Sequence, residues 1–152
     1  MNGTRFSRDK ANFDDLARHL RACDRAFMPP LSERLHIGEY AVKLAANATR
    51  FEAWSGDELT GLIAAYCNSA DNGTAFITSV SVLPQQQGKG IAADLLEHCI
   101  VDIRKLGFKH MELEVNSGNE AAMALYKRFG FVSTRTTDNL TTMTIDLQKD
   151  AQ

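Results

Sequence analysis

Apolar side chains recur at helical spacing in four segments of the chain. In each segment they return every three or four residues, which places them on one face of a helix. The segments are residues 12–23, 37–45, 90–106 and 119–129. In the third, the apolar face extends from Ile91 to Leu106, and Gly107 then supplies a helix stop, as Gly130 does after the fourth. The pattern therefore predicts four helices.

Segments rich in β-branched and aromatic residues lie between these helices and predict strands. They are residues 4–7, 51–55, 59–68, 75–83, 110–116, 131–137 and 140–147. The turn Asp71-Asn72-Gly73 is typical of a hairpin, because Asn and Gly tolerate positive φ. In the fourth strand the apolar positions step from Ile77 to Val80 and break the period of two. Either a bulge or a strand buried on both faces would produce that break.

The order of the predicted elements indicates the fold class. One strand, two helices, three strands, a helix, a strand, a helix and two strands form an α/β (α+β) arrangement. We expect a mixed, largely antiparallel central sheet flanked by about four helices. Because the chain has no internal repeat and no Pro- or Ser-rich linker, we expect residues 1–152 to form a single domain.

Composition narrows the classes of function. The chain has 152 residues, 44% of them hydrophobic and 24% charged, with a net charge of −2. Such a charge offers no electrostatic basis for binding nucleic acid. No apolar run approaches the roughly 20 residues that cross a bilayer, and the first ten residues lack the apolar stretch of a signal peptide. We expect a cytoplasmic protein with neither nucleic acid nor membrane as a partner.

Cysteines and histidines are scattered at unrelated spacings. They are Cys23, Cys67, Cys99, His19, His36, His98 and His110. An odd number of dispersed cysteines fits neither a disulfide framework nor a metal site. We therefore expect packing or surface roles for these residues and no bound metal.

The segment Gln87-Gly88-Lys89-Gly90-Ile91-Ala92 joins a predicted strand to a predicted helix. Free backbone N–H groups at the positive end of a helix dipole attract anions, and glycines let a diphosphate approach the backbone. The loop lacks the Lys-Ser/Thr pair of a P-loop and the third glycine of a dinucleotide fingerprint. By itself it indicates either an anion site or a tight turn before a helix.

A second segment makes the interpretation more specific. The loop matches Gln/Arg-x-x-Gly-x-Gly/Ala, and residues 119–131 follow Asn-x-x-Ala-x-x-Leu-Tyr-x-x-x-Gly-Phe. In both motifs the chain resembles the GCN5-related N-acetyltransferase (GNAT) superfamily. The resemblance covers residues 59–147 well and the first fifty residues only in outline.

This resemblance implies a cofactor site and an activity. The superfamily transfers an acetyl group from acetyl-CoA, here a co-substrate, to an amine. By resemblance, the strand end at Val82 and Leu83 would pair with the pantetheine arm, and an N–H near Val82 would polarise the thioester carbonyl. Asn119 resembles the superfamily's cofactor-contacting asparagine, and Tyr126 the tyrosine beside the sulfur. The pyrophosphate would lie on the backbone of Gln87, Gly88, Lys89, Gly90, Ile91 and Ala92.

The chemistry requires a base more than an acid. An alkyl amine has a pKa near ~10.4 and must lose a proton before or during attack, whereas a thiolate is already a fair leaving group. Tyr126 is the candidate acid. Glu114 is the candidate base by its resemblance to a glutamate in ribosomal-protein N-terminal acetyltransferases, although a solvated strand position explains it equally well. Since the preceding strand carries hydroxyl residues in place of an acid, a base acting through ordered water remains an alternative.

The acceptor is not identified by the sequence. The resemblance assigns its site to residues 27–40 and 134–142 together with Glu52, Trp54 and Tyr66. The first hypothesis is an N-acetyltransferase acting on the primary amine of a small molecule or amino sugar. The second is the same chemistry on a protein N-terminus or lysine, and the third is an acyl-CoA sensor without turnover. A homodimer is left open.

Overall fold

The computed structural model describes residues 3–67 and 73–148, and within them seven strands and four helices follow in the predicted order. The strands are β1 (Arg5–Arg8), β2 (Thr49–Ser55), β3 (Glu58–Tyr66), β4 (Thr74–Val82), β5 (His110–Asn116), β6 (Val132–Thr137) and β7 (Leu140–Asp146). The helices are α1 (Phe13–Ala22), α2 (Ile37–Asn47), α3 (Ile91–Lys105) and α4 (Glu120–Arg128). Short 3₁₀ turns occupy Asp24–Ala26, Leu31–Glu33 and Pro84–Gln86.

All seven strands form one sheet in the order β1-β2-β3-β4-β5-β7-β6. The β4–β5 pair is parallel, and the other five neighbouring pairs are antiparallel. This parallel pair is required because α3 carries the chain from the end of β4 back to the start of β5. The predicted fold class, a mixed and largely antiparallel sheet with four helices, is confirmed.

Each face of the sheet carries a hydrophobic core. On one face, α3 and α4 pack over a cluster that includes Ile63, Leu96 and Met111. On the other, α1 and α2 cover a smaller cluster around Leu20 and Leu62. The smaller cluster contains residues of β2 and β3 but none of β5, so α1 and α2 leave this face of β5 uncovered. That exposed area lies beside the candidate site.

Helix ends follow local sequence signals. Asn12 accepts a hydrogen bond from the Asp15 N–H, and the Asp15 side chain accepts one from the Asn12 N–H, a reciprocal capping box. Leu106, predicted on the buried face of the third helix, is instead 46% exposed, because α3 ends at Lys105. Within the described residues, no helix is long and apolar enough to cross a membrane.

The irregular step in the fourth strand is a bulge. Ser79 pairs with Ala64 and Ile77 with Ala65, so Thr78 is the extra residue in the ladder between β3 and β4. The bulge keeps Ile77 and Val80 on the same face of the sheet, which explains the break in the period of two. In the predicted hairpin turn that precedes β4, Asp71 and Asn72 lie outside the described residues. Residue 68, the last residue of the predicted third strand, also lies outside them.

A buried ion pair connects several segments in the first half of the chain. Glu52 is fully buried, and its carboxylate accepts hydrogen bonds from the Lys10 and Ala11 N–H groups and from Ser7 Oγ. Arg50 Nε lies 3.4 Å from Glu52 Oε2. The rest of the guanidinium donates to four main-chain carbonyls, those of Ala11, Leu44, Ala45 and Ala48. The pair therefore joins β1, the loop before α1, the end of α2 and β2.

We predict that Arg50→Met lowers the free energy of unfolding by about 3–5 kcal/mol, because it leaves a buried carboxylate without its cation. Urea denaturation followed by circular dichroism measures the loss. Arg18→Met is the control: Arg18 forms an exposed ion pair with Asp15, and its removal is expected to cost less than about 1 kcal/mol. Equal losses in the two variants would contradict a structural role for the buried pair.

Candidate active site

The candidate site is a gap between the two central parallel strands. β4 and β5 pair only over Thr74–Ile77 and His110–Leu113. Beyond this point β4 continues along β3 as far as Val82, and β5 continues along β7 as far as Asn116. The two strands therefore separate and open a cleft of about 900 Å³.

The strands separate next to the bulge at Thr78, and a hydrogen bond from Tyr40 stabilises this bulge. The Tyr40 hydroxyl donates to the Thr78 carbonyl oxygen at 3.1 Å and lies 2.8 Å from Thr78 Oγ1. A partly buried carbonyl that leaves a ladder needs a new partner, because an unpaired one is costly. Here Tyr40 of α2 provides that partner.

Beyond the bulge, β4 presents different side chains on its two faces. Val80 and Val82 pack against the α3–α4 cluster. Ser81 lies on the opposite face, where its hydroxyl contacts His19 of α1, and strand alternation places Ser79 on that face as well. One wall of the cleft is thus apolar toward α3 and α4 and rich in hydroxyls toward α1 and α2.

The main chain at the end of β4 has a free edge toward the gap. The Leu83 N–H donates to the Thr60 carbonyl of β3 at 2.9 Å, and the Leu83 carbonyl accepts from the Gln86 N–H at 2.8 Å. Successive residues of a strand direct their polar groups to opposite edges, so the Val82 N–H is directed into the gap. Leu83 has both main-chain groups satisfied within the chain and does not line the cleft. Of the predicted pair, only Val82 faces the gap.

The glycine loop forms the start of α3. Gly88 and Gly90 have φ of +82° and +80°, and the space where a Cβ would lie is open at both. Gly90 precedes the helix without a side-chain cap, which leaves the first N–H groups of α3 available to an anion. Close packing fixes this helix end, because a Cβ on Gly61 of β3 would lie 2.7 Å from Ile91 Cγ2.

The loop side chains differ in their positions. Gln87 Nε2 donates to the Val82 carbonyl at 3.3 Å, so the predicted side-chain donor is directed toward β4. Lys89 Nζ donates to Gln86 Oε1 at 3.2 Å and is exposed to solvent. Gln87 and Ala92 line the cleft, whereas Gly88, Lys89, Gly90 and Ile91 lie outside its lining.

The fourth helix brings two predicted residues to the cleft. Asn119 Oδ1 accepts from the Ala122 N–H at 3.2 Å and caps α4, which leaves its amide N–H₂ for other partners. Tyr126 also lines the cleft but is only 6% exposed, and its ring packs on Phe131. Burial raises the pKa of Tyr126 to about 12, so the phenol stays protonated throughout the neutral range.

Glu114 faces the cleft from the opposite wall. It lies between Leu113 and Val115, which are buried against α3 and α4, so its side chain projects from the other face. It is exposed, and no ion pair or side-chain hydrogen bond involves it within residues 3–67 and 73–148. Glu114 therefore shares a sheet face with Ser79 and Ser81 across the gap.

Two loops form the outer rim on this face. Residues 26–29 and Arg34 lie on one side, and residues 137–140 of the β6–β7 hairpin lie on the other. Except for residue 26, these rim residues fall within the predicted acceptor regions, 27–40 and 134–142. Glu52, Trp54 and Tyr66 do not line the cleft.

Sequence reasoning did not single out the residues that support the cleft from behind, although Tyr40 is the last residue of the predicted acceptor region 27–40. His19 and Tyr40 lie on apolar helix faces, where nothing in the sequence separates them from ordinary packing residues. For metal binding, the described residues contain no group of three or more His, Cys, Asp or Glu side chains placed to hold an ion.

Comparison with known proteins identifies the family of the chain. The model of the acetyltransferase (GNAT) family matches residues 13–131. The [ribosomal protein bS18]-alanine N-acetyltransferase of Escherichia coli K12 is 33% identical over 106 residues, which cover 66% of this chain and 70% of the relative.

Solved structures share the fold. The ribosomal-protein-S18-alanine N-acetyltransferase from Escherichia coli superimposes with a TM-score of 0.76 at 23% identity, covering 95% of this chain and 94% of that one. A structure from Salmonella typhimurium, solved with its cofactor acetyl-CoA, has a TM-score of 0.76 at 21% identity and covers 99% and 98% of the two chains.

Fold, sequence relatives and family match together define the class of protein, an N-acetyltransferase. The chain belongs to the acetyltransferase (GNAT) family.

We predict that Gly90→Ala raises the dissociation constant for acetyl-CoA about tenfold. Alanine at φ +80° is strained by roughly 1–2 kcal/mol, and relief of that strain displaces the N–H groups at the start of α3. Isothermal titration calorimetry measures the change.

Gly56→Ala is the matched control, because Gly56 also has positive φ (+59°) and open space for a Cβ, but it lies in the β2–β3 turn. It should lose similar stability with unchanged acetyl-CoA binding. If Gly90→Ala binds acetyl-CoA as tightly as Gly56→Ala does, the helix start is not the pyrophosphate site.

Proposed function

We propose that this enzyme transfers the acetyl group of acetyl-CoA directly to a primary amine, and that the preferred acceptor is the α-amine of a peptide. The observation that carries the proposal is the position of Tyr126 and Glu114, which line one gap from opposite faces of the sheet. An acetyl donor held on the α3–α4 face would meet an amine from the other face between these two groups.

The residues around the cleft fit acetyl-CoA. The uncapped start of α3 and the open backbone at Gly88 and Gly90 suit a pyrophosphate. The apolar wall at Val80 and Val82 suits the pantetheine chain, and the amide of Asn119 retains two donors. When bound, acetyl-CoA supplies an activated thioester whose thiol has an ordinary pKa near ~8.5.

In this mechanism the Val82 N–H acts as a fixed donor. It is directed into the gap, where it can stabilise negative charge on an oxygen as an amine adds to the carbonyl carbon. Such a donor contributes most when it is already oriented before the reaction. Because β4 and β5 are already separated in the folded protein, the N–H needs no reorientation during the reaction.

The raised pKa of Tyr126 refines its role. A phenol with a pKa of about 12 is a weaker acid than an ordinary thiol near ~8.5, so complete proton transfer to the thiolate is uphill. Tyr126 therefore serves as a hydrogen-bond donor to sulfur as negative charge develops. Donors to charged groups contribute about 1.5–3 kcal/mol.

Glu114 is proposed as the group that accepts the amine proton. It is exposed on the face from which the amine arrives, and water can carry the proton away from it.

The similarity to a ribosomal-protein alanine N-acetyltransferase supports a peptide α-amine as the acceptor.

A small amine is the second candidate. Exposed Arg34 lies on the cleft rim and makes no ion pair within the described residues, so it offers a cation to a free carboxylate. A free amino acid would place its amine at Glu114 and its carboxylate at the rim.

A panel of amines distinguishes these acceptors by thiol release from acetyl-CoA. It contains a peptide that begins with alanine, the same peptide with a blocked N-terminus and an internal lysine, free alanine and glucosamine. We expect the highest kcat/KM for the peptide with a free α-amine. A preference for free alanine or glucosamine would assign the enzyme to small amines instead.

We predict that Tyr126→Phe lowers kcat about 10- to 100-fold with the KM for acetyl-CoA little changed, because one hydrogen bond to a developing thiolate is lost. Steady-state kinetics with the best amine of the panel measures the change. Tyr66→Phe is the control, since the Tyr66 hydroxyl makes no hydrogen bond within the described chain and lies outside the cleft lining. A kcat equal to wild type in Tyr126→Phe would remove Tyr126 from the mechanism.

We predict that Glu114→Gln lowers kcat/KM for the amine about 100-fold at neutral pH, the usual effect of losing a general base. The deficit should shrink as pH rises past about 8, the ordinary pKa of a peptide α-amine, because solvent then deprotonates the amine without help. Glu112→Gln, on the same strand and face but outside the cleft lining, is the control. A deficit that does not vary with pH would argue against proton removal by Glu114.

A further inference from the structure

A buried histidine lies directly behind the hydroxyl wall of the cleft. His19 of α1 is 2% exposed. Its Nδ1 lies 2.8 Å from the Leu59 carbonyl oxygen, and its Nε2 lies 2.9 Å from Ser81 Oγ. Nothing in the mechanism above uses this residue.

These contacts determine the direction of each hydrogen bond. A carbonyl oxygen only accepts, so His19 Nδ1 carries a proton and donates to Leu59. Burial lowers the pKa of His19 to about 4, so the ring is neutral at pH 7 and its Nε2 is an acceptor. The Ser81 hydroxyl must therefore donate its single proton to Nε2.

The neighbouring thiol does not alter this assignment. Cys23 Sγ lies 3.6 Å from His19 Nε2, and burial raises the pKa of Cys23 to about 11, so it remains a thiol. A thiol is a weak donor, whereas the Ser81 hydroxyl is both closer and stronger. Nε2 has one lone pair in the ring plane, and the hydroxyl takes it.

With its proton committed to His19, Ser81 presents only lone pairs to the cleft that it lines. A second hydroxyl on this face, Ser79 Oγ, is buried next to the Tyr40 hydroxyl. Both serines lie on the face from which the amine is proposed to arrive.

We propose that His19 is a positioning residue that forces Ser81 to act as a hydrogen-bond acceptor for an N–H of the acceptor amine. By holding one N–H, Ser81 turns the nitrogen lone pair toward the gap, beside the Val82 N–H of the next residue. This proposal rests on the proposed acetyl transfer to an amine but not on the choice between a peptide and a small molecule.

The polarity follows from the tautomer and can be changed by substitution. His19→Asn retains an amide N–H close to the Nδ1 position, where it can bind the Leu59 carbonyl, but removes the acceptor at Nε2. His19→Gln extends an amide oxygen to the Nε2 position and restores an acceptor. In His19→Asn the Ser81 hydroxyl should be free to rotate and to direct its proton toward the cleft. In His19→Gln the new amide oxygen should keep that proton directed away from the cleft.

The kinetic test uses the panel amine with the highest kcat/KM, at saturating acetyl-CoA. We expect Ser81→Ala and His19→Asn each to lower kcat/KM for the amine about fivefold to tenfold, the effect of one neutral hydrogen bond, with the KM for acetyl-CoA within about twofold of wild type. His19→Gln should recover most of the loss. The double variant Ser81→Ala/His19→Asn should be no worse than Ser81→Ala alone, because His19 acts only through that hydroxyl.

Leu16→Ala is the control, since Leu16 is fully buried on the same helix and its apolar side chain has no group that could bind Ser81. It should lower stability without changing kcat/KM. Additive losses in the double variant, or equal losses in the Asn and Gln variants, would show that His19 matters only for packing and would overturn the proposal.

A measurement without turnover separates this proposal from the proposed function. Nitrogen-15 NMR of the imidazole should show the proton on Nδ1 in the free protein and a shift of the Nε2 resonance in Ser81→Ala. A proton on Nε2 would overturn the proposal even if the enzyme acetylates amines. If no panel amine is acetylated, the proposed function fails, and the tautomer alone then decides whether Ser81 is held as an acceptor.

Discussion

The hydrogen bond between Tyr40 and the bulge at Thr78 is the contact on which the site depends. A parallel strand can leave its neighbour only if the polar groups it exposes find other partners. The Tyr40 hydroxyl binds the Thr78 carbonyl at the residue where β4 stops pairing with β5. The bulge also keeps Ile77 and Val80 on one face, so the serines that follow turn toward α1 and α2.

Separation of the strands then supplies the chemistry of the gap. If β4 had continued along β5, the ladder would have used the Val82 N–H, and no passage would connect the two faces. Because β3 still binds the other edge of β4, through Leu83 and Thr60, the free edge remains rigid. A rigid unpaired N–H is the kind of donor that stabilises developing charge effectively. The packing of Ile91 against Gly61 fixes the start of α3 beside it.

Local patterns were sufficient to predict most of the fold, whereas the cofactor residues came from the resemblance of two motifs and stay a prediction. Helical periodicity, the caps at Asn12 and Asn119 and the period break at Thr78 are each set by a few neighbouring residues. The hydroxyl wall of the cleft could not be predicted in this way, because contacts between distant residues build it. Ser81 and His19 are separated by 62 positions, and whether they meet depends on how α1 packs on the sheet. The same limit explains why Glu52, a carboxylate with the chemistry of a base, proved to be the anchor for Arg50.

Placing the proposed hydrogen-bond donor to sulfur and the proposed proton acceptor on opposite faces has a physical consequence. Tyr126 is almost fully buried, and the desolvation that raises its pKa also strengthens any hydrogen bond it gives to sulfur. Glu114 is exposed, so a proton taken from the amine can pass to water. If both groups shared the dry face, that proton would have no exit, and the carboxylate would have to bear the cost of burial. In the proposed mechanism, the gap would therefore give one reaction a dry environment where charge develops on sulfur and a wet one where a proton must leave.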